Sequence, residues 1–276
     1  MSWIKTATSG RMPSCDAFSL TEGLPMPTIL SRPHPRPAPA LPDDDLLEAL
    51  ESERFGVAYE PLVELSSGQT VAFEALARFQ RRDGSLLPPG PVFSWLHAAP
   101  ALLLETELAL KKVQLERAPG HTLFVNLDPD SFASAPDGGG ELLSVLCGAG
   151  RDLVVEAIEN LDAVDAERGA AMVAALRVRG LPFALDDVGA SNGLISFEML
   201  AFADYLKFDR RVLRRPRALR PLAVVEALIA MAARTGARTV LEGVESAADL
   251  DLARDLGVDL VQGYLFRDRF LSFLPG

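Results

Sequence analysis

Residues 57–79 read "VAYEPLVELSSGQTVAFEALARF". Two runs rich in apolar, β-branched and aromatic residues flank "SSGQ", Ser66–Gln69, and such a pair reads as an antiparallel hairpin. Six further strand-like runs follow: "TLFVNLD", "DLVVEAIE", "PFALDDVG", "DYLKFD", "RTVLEGVE" and "DLVQGYLF". Helical patterns separate most of them, as in "ALLLETELALKKVQLERA" and "PLAVVEALIAMAARTGA". Eight strands alternating with helices predict an α/β chain closed into a (β/α)8 barrel that begins with an antiparallel hairpin.

In such a barrel the active site lies at the C-terminal ends of the strands. The residues near those ends are polar almost without interruption. They are Glu74 and Arg78, then Asn126, Glu156 and Glu159, Asp186 and Asp187, Lys207 and Asp209, Glu242 and Glu245, and Gln262. One acid at a strand end is more often a helix cap or a surface ion pair than a ligand. Seven strands in succession reverse that balance, because buried strands seldom carry ionisable groups without partners. Glu, Asn and Asp make an oxygen-rich set of the kind hard cations prefer, and the absence of His and Cys argues against zinc. The adjacent pair Asp186–Asp187 closes the apolar run of "LPFALDDVGASNG". Two neighbouring carboxylates repel unless a metal, a lysine or water separates them.

Composition narrows the function. The formal net charge is −11, which argues against a broad surface for DNA or RNA. A small anionic ligand is still admissible, since a divalent ion inverts the local charge. Cys15 and Cys147 lack zinc-like spacing and read as free thiols of a reducing cytosol. No apolar run approaches the roughly 18 residues of a membrane span, and the start lacks a secretory apolar core. The expectation is a cytoplasmic protein with no membrane or nucleic-acid partner. Residues 1–45 hold eight of the 20 prolines, including "RPHPRPAPALP", and read as a disordered or linker segment. Met12 and Met26 leave a later start open. Asp43–Asp45 then cap a short helix, "DLLEALES", so the folded domain is expected over residues 46–276.

Taken in order, "FEALARF", "VNLD", "VEAIE", "LDDVG", "LKFD", "LEGVE" and "VQGY" make the sequence resemble the EAL-domain family of bacterial cyclic di-GMP phosphodiesterases, from about Phe55 to Phe266. The resemblance implies a TIM-like barrel with an antiparallel first strand. It also implies hydrolysis of cyclic di-GMP to linear pGpG with Mg²⁺ or Mn²⁺, two ions in all. Carried over by motif, it makes Glu74, Asn126, Glu156 and Asp186 metal ligands, with Asp187 serving the second metal. Lys207 would contact the attacking water or an oxygen held by a metal, and Glu242 would stand near the general-base position. Arg78 would hold a phosphate. Gln262, Leu76, Glu60 and Asp209 complete the substrate-contacting positions, Glu60 against the base and Gln262 in the water and metal region. Glu159 and Glu245 would support the loop after the fifth barrel strand, and a homodimer is implied.

The sequence also departs from that family's pattern. Where "DDFGTGYSSL" is usual it has "DDVGASNGLI", with Val188 for Phe, Ala190 for Thr, and Asn192–Gly193 for Tyr-Ser. Ile158 replaces Thr, and Glu60 stands where Gln is common. The alternatives to an active enzyme are a catalytically weak cyclic di-GMP receptor and a protein-interaction module on the same fold. "GASNG" matches the nucleophile elbow of serine hydrolases, but His34, His97 and His121 all precede Ser191, the wrong order for that triad. "RRVLRRPRALR", Arg210–Arg220, reads as a solvated helix face and loop that could steer an anion toward the site.

Overall fold

The computed structural model describes residues 43–52, 54–158, 163–190, 196–214 and 220–274. The proline-rich segment assigned to residues 1–45 lies outside the described residues as far as residue 42. The strands are β1 (Phe55–Glu64), β2 (Thr70–Gln80), β3 (Leu86–Leu87), β4 (Thr122–Asn126), β5 (Leu153–Ile158), β6 (Phe183–Val188), β7 (Tyr205–Phe208), β8 (Arg238–Leu241), β9 (Leu260–Val261) and β10 (Leu271–Phe273). The helices are α1 (Asp43–Glu51), α2 (Pro89–Leu96), α3 (Pro100–Glu116), α4 (Pro129–Ser134), α5 (Gly140–Cys147), α6 (Ala163–Val178), α7 (Phe197–Phe202), α8 (Arg220–Thr235) and α9 (Ala247–Leu256).

Eight strands close a barrel. β2, β4, β5, β6, β7, β8 and β9 run parallel in that order. β1 completes the ring, antiparallel to β2 on one side and to β9 on the other. The expected (β/α)8 barrel with its reversed first strand is therefore present. Two short strands lie outside the expectation: β3 lengthens the β2 edge, and β10 pairs antiparallel with Val57–Tyr59 of β1. The last expected strand, "DLVQGYLF", is cut to two residues. After it, Gly263 takes φ 151°, where an added Cβ would lie 2.4 Å from the Val244 backbone. Hydrogen bonds from Val244 N–H to the Gln262 carbonyl and from Leu265 N–H to that of Val244 then turn the chain into a 3₁₀ helix.

The barrel interior shows how the pattern positions the site. Side chains two apart on a strand share a face. Leu62, Ala72, Phe124, Val154, Ala184, Val240 and Leu260 form one buried interior cluster, with Tyr205 packed against it. Two residues further toward the mouth stand Glu60, Glu74, Asn126, Glu156, Asp186 and Lys207 on their strands, with Glu242 and Gln262 one residue past the ends of β8 and β9. On β1 the step runs backwards in sequence, from Leu62 to Glu60, because that strand is reversed. An apolar plug thus seals the barrel directly beneath a polar ring to which every strand contributes. The intervening residues, such as Leu123, Val125, Val155, Leu185 and Leu206, face outward into the larger core beneath the helices.

Candidate active site

Lys207 stands at the centre of the polar ring and is wholly buried. Its Nζ lies 2.6 Å from Glu156, 2.8 Å from Glu242, 3.1 Å from Asp186 and 3.3 Å from Glu74. An ammonium has three N–H donors. Four carboxylates therefore compete for three bonds, and the cluster keeps a negative surplus. Glu156 Oε1 and Asp186 Oδ1 are close to Nζ by distance, yet neither has an aligned hydrogen bond, although both are buried. Distance makes these ion pairs; angle leaves the oxygens only partly served.

Ionisation reflects the surplus. Burial, the charge of Glu74 and that of Asp186 push Glu156 well above the ordinary carboxylate range, against the pull of Lys207. Burial likewise raises Asp186 despite Lys207. Glu242 is pushed up to about 8, first by burial and then by Asp186 and Glu74, with Lys207 opposing. Glu74 alone goes down: burial would raise it, but Lys207 and hydrogen bonds from Gln262 and Asn126 outweigh that. Gln262 Nε2 donates to Glu74 at 2.6 Å, and Asn126 Nδ2 donates to Glu74 and Glu156 at 3.1 Å each. Asn126 thus presents its amide nitrogen to the carboxylates, and an oxygen ligand requires that amide turned over.

Asp187 joins the site through a local irregularity. Consecutive strand residues point to opposite faces. The β6–β7 register shifts between Leu185 and Val188, and Asp187 takes φ 56° in the left-handed region. With that bend, carboxylate oxygens of Asp186, Asp187 and Glu242 come within 4.8 Å of one another, as do those of Glu74, Glu156 and Asp186. Burial, Asp186 and Asp209 push Asp187 up to about 6. Asp186 belongs to both groups. Two all-carboxylate sets that share a member, with buried oxygens left partly unserved, suit hard dications.

A cavity of about 350 Å³ opens over the ring, lined among others by Glu60, Asp187, Asp209, Glu245 and Tyr264. Asp209 is buried and accepts the Arg211 N–H at 2.7 Å. Glu245 is exposed at the rim, where its N–H donates to Asp249. Glu159 lies outside the described residues, as do Ser191–Ile195 of the altered loop. Arg78 shares a strand face with Glu74 and pairs with Glu60 at 3.6 Å. Leu76 lies between them on β2, half-buried, at the edge of a second cavity of about 350 Å³ that Arg78 also lines.

Four features escaped the sequence reading. Tyr264 puts a 66% exposed aromatic ring at the first cavity. Arg210, read only as part of a basic run, lines the same cavity, and its Cβ would sit 2.3 Å from any Cβ placed on Gly243. Glu107 and Lys111, four residues apart on α3, form a buried ion pair of 2.7 Å beside the second cavity. His97 bonds Asp128 at 2.8 Å near Asp130, itself paired with Arg168. The i,i+4 spacing of Glu107 and Lys111 was the available signal there; the other three depend on tertiary packing.

A sealed barrel with buried carboxylates gathered round one lysine at the C-terminal mouth has the architecture of the barrel enzymes. Within that class the chain belongs to the EAL domain family, whose model matches residues 43–268. The cyclic di-GMP phosphodiesterase NbdA of Pseudomonas aeruginosa is 26% identical over 235 residues, covering 81% of this chain and 30% of that protein. The structure of Klebsiella pneumoniae BlrP1 with manganese and cyclic di-GMP is 26% identical, with a TM-score of 0.63 over 77% of this chain and 55% of that one. The MucR phosphodiesterase in complex with cyclic di-GMP shares the fold at 24% identity and a TM-score of 0.68, covering 80% of this chain and 94% of that one. The chain spans 27–33% of the length of the first three curated relatives it matches. No described helix is long and apolar enough to cross a membrane.

Proposed function

We propose that this chain hydrolyses one phosphodiester bond of cyclic di-GMP to give linear pGpG, using two Mg²⁺ or Mn²⁺ ions. The carrying observation is the ring itself, in which Glu74, Glu156, Asp186 and Glu242 crowd one lysine and Asp187 is folded back beside them. Glu74, Asn126, Glu156 and Asp186 would hold one ion and Asp187 the other. When bound, the ions supply Lewis acidity to the attacking and leaving oxygens of an in-line displacement.

The chain's own groups do the rest. Lys207 keeps a fixed positive charge, shut off from water, where negative charge builds up in the transition state. Glu242 stands beside Asp186 and Asp187 at the cavity, where its carboxylate would take a proton from an attacking water. Arg78 offers its planar fork to a phosphate. Gln262 fixes Glu74, while Leu76, Glu60 and Asp209 border the substrate. Glu245, with Glu159, supports the loop after β6. Residues 46–276 would act as the catalytic domain of a cytoplasmic homodimer, with residues 1–45 as a tether.

The test is chromatography of cyclic di-GMP with purified protein in Mn²⁺ or Mg²⁺, beside binding in Ca²⁺. Formation of pGpG that EDTA abolishes is the expected result. Binding without turnover would make the protein a receptor; neither would leave an interaction module.

A further inference from the structure

Arg78, registered with Gly56, and Glu60, registered with Glu74, reach each other diagonally across the β1–β2 hairpin, Glu60 beside the first cavity and Arg78 beside the second. Their pair differs from those of Lys207 in one respect. Its cation is open to solvent, Arg78 keeping 25% of its side-chain surface exposed where Lys207 keeps none, so an incoming anion can reach it. Arg78 Nη1 donates to the Ala77 carbonyl at 3.0 Å, and Nη2 is the atom that faces Glu60. On its other side Glu60 stands opposite Glu74, its register partner on β2. Arg78 is thus the nearest counter-charge of Glu60, whose surroundings also hold the Glu74 carboxylate, the Gln262 amide and, further off, Lys207.

From this arrangement we infer that Glu60 is a latch on Arg78, and that it sets how tightly the site takes a phosphodiester. The inference rests on the phosphodiesterase reading above. A bidentate phosphate contact uses two N–H groups along one edge of a guanidinium, and each such edge of Arg78 includes Nη2, the atom beside Glu60. In this chain it must displace Glu60, and the displaced carboxylate stays beside the bound anion and Glu74. A glutamine at position 60 would keep the shape and hydrogen-bonding reach but release Arg78. Glu60 is then a specificity-determining residue that acts through charge on Arg78, in place of the base contact expected from sequence.

The experiment compares wild type with Glu60→Gln and Glu60→Ala on two substrates, cyclic di-GMP and bis(p-nitrophenyl) phosphate, a diester without a purine. If the latch operates, both variants lower KM for both substrates by about three- to five-fold, the size of a partly exposed ion pair. The change falls mainly on KM and shrinks as salt is raised. A rise in KM for cyclic di-GMP alone would assign Glu60 to the base and overturn the latch. Unchanged KM in an active enzyme would overturn it as well. If wild-type protein turns over neither diester, the phosphodiesterase reading fails and the latch falls with it.

Discussion

Lys207 Nζ and Glu156 Oε1 lie 2.6 Å apart in a place where neither side chain has any exposure to solvent. Breaking a buried pair by removing one partner is costly, since the other charge is left without compensation. Lys207→Met should therefore destabilise the metal-free protein by about 3–5 kcal/mol, read by denaturant unfolding in EDTA. Turnover should fall by about 100-fold or more, the scale for losing a group that stabilises transition-state charge. An unfolding midpoint in EDTA equal to wild type would mean that the ring does not depend on its lysine.

Glu74→Ala and Asp186→Asn should each abolish turnover while circular dichroism still reports a folded barrel. Full activity in either variant would remove the two-ion assignment. Glu242→Gln should lower the rate and spare cyclic di-GMP binding in Ca²⁺. A large loss of affinity there would give Glu242 a structural role instead.

Metal-free stability should fall as pH rises from 5 to 8. Glu242 stands at about 8 in the fold against an ordinary 4.5, and Asp187 at about 6 against 3.8. Between those limits the native state binds more protons than the unfolded chain, so raising the pH favours unfolding. Glu156 and Asp186 are raised and act in the same direction. Glu74, which is lowered, contributes below 4.5, and Lys207, which is raised, loses its contribution only above 10.5. Bound dications favour the ionised carboxylates, so Mn²⁺ should flatten or reverse the slope. Thermal melts at four pH values, with EDTA and with Mn²⁺, read this directly; a flat EDTA series would refute it.

Asp187 separates stability from activity. Its φ of 56° suits glycine better than aspartate, and its carboxylate is repelled by Asp186 and Asp209. Asp187→Gly should melt at or above the wild-type temperature in EDTA and lose most of its turnover. A variant that kept its activity would show the bend to be ornamental to the chemistry.

Much of this is legible in the sequence itself. The step of two from Phe124 to Asn126, from Val154 to Glu156 and from Ala184 to Asp186 is written into the sequence, and strand periodicity alone sets it above the apolar plug. Strand periodicity does not do the same for Asp187, which only the family resemblance assigns to the site. Alternation assigns it to the opposite face from Asp186, and only the register shift against β7 returns it. The shortened β9 escaped for a similar reason, because the close approach of Gly263 to Val244 joins segments that propensity treats separately. The Glu60–Arg78 contact crosses a hairpin whose registry the sequence leaves open until the Leu62–Val63 irregularity is known.

The seam between β1 and β9 carries a consequence for how the molecule is made. Its ladder consists of Val63 with Val261 and Glu64 with Leu260, and Gln262 reaches Glu74 across a sequence separation of 188 residues. Contacts so distant along the chain form late, after loop closure has been met by everything between them. A nascent or truncated chain that stops before residue 260 is an open sheet with two unpaired edges, exposed to association with its neighbours. It also lacks the amide that pins Glu74. If the proposed activity holds, catalytic competence and topological closure are one event, and a chain that has not finished folding has no finished centre.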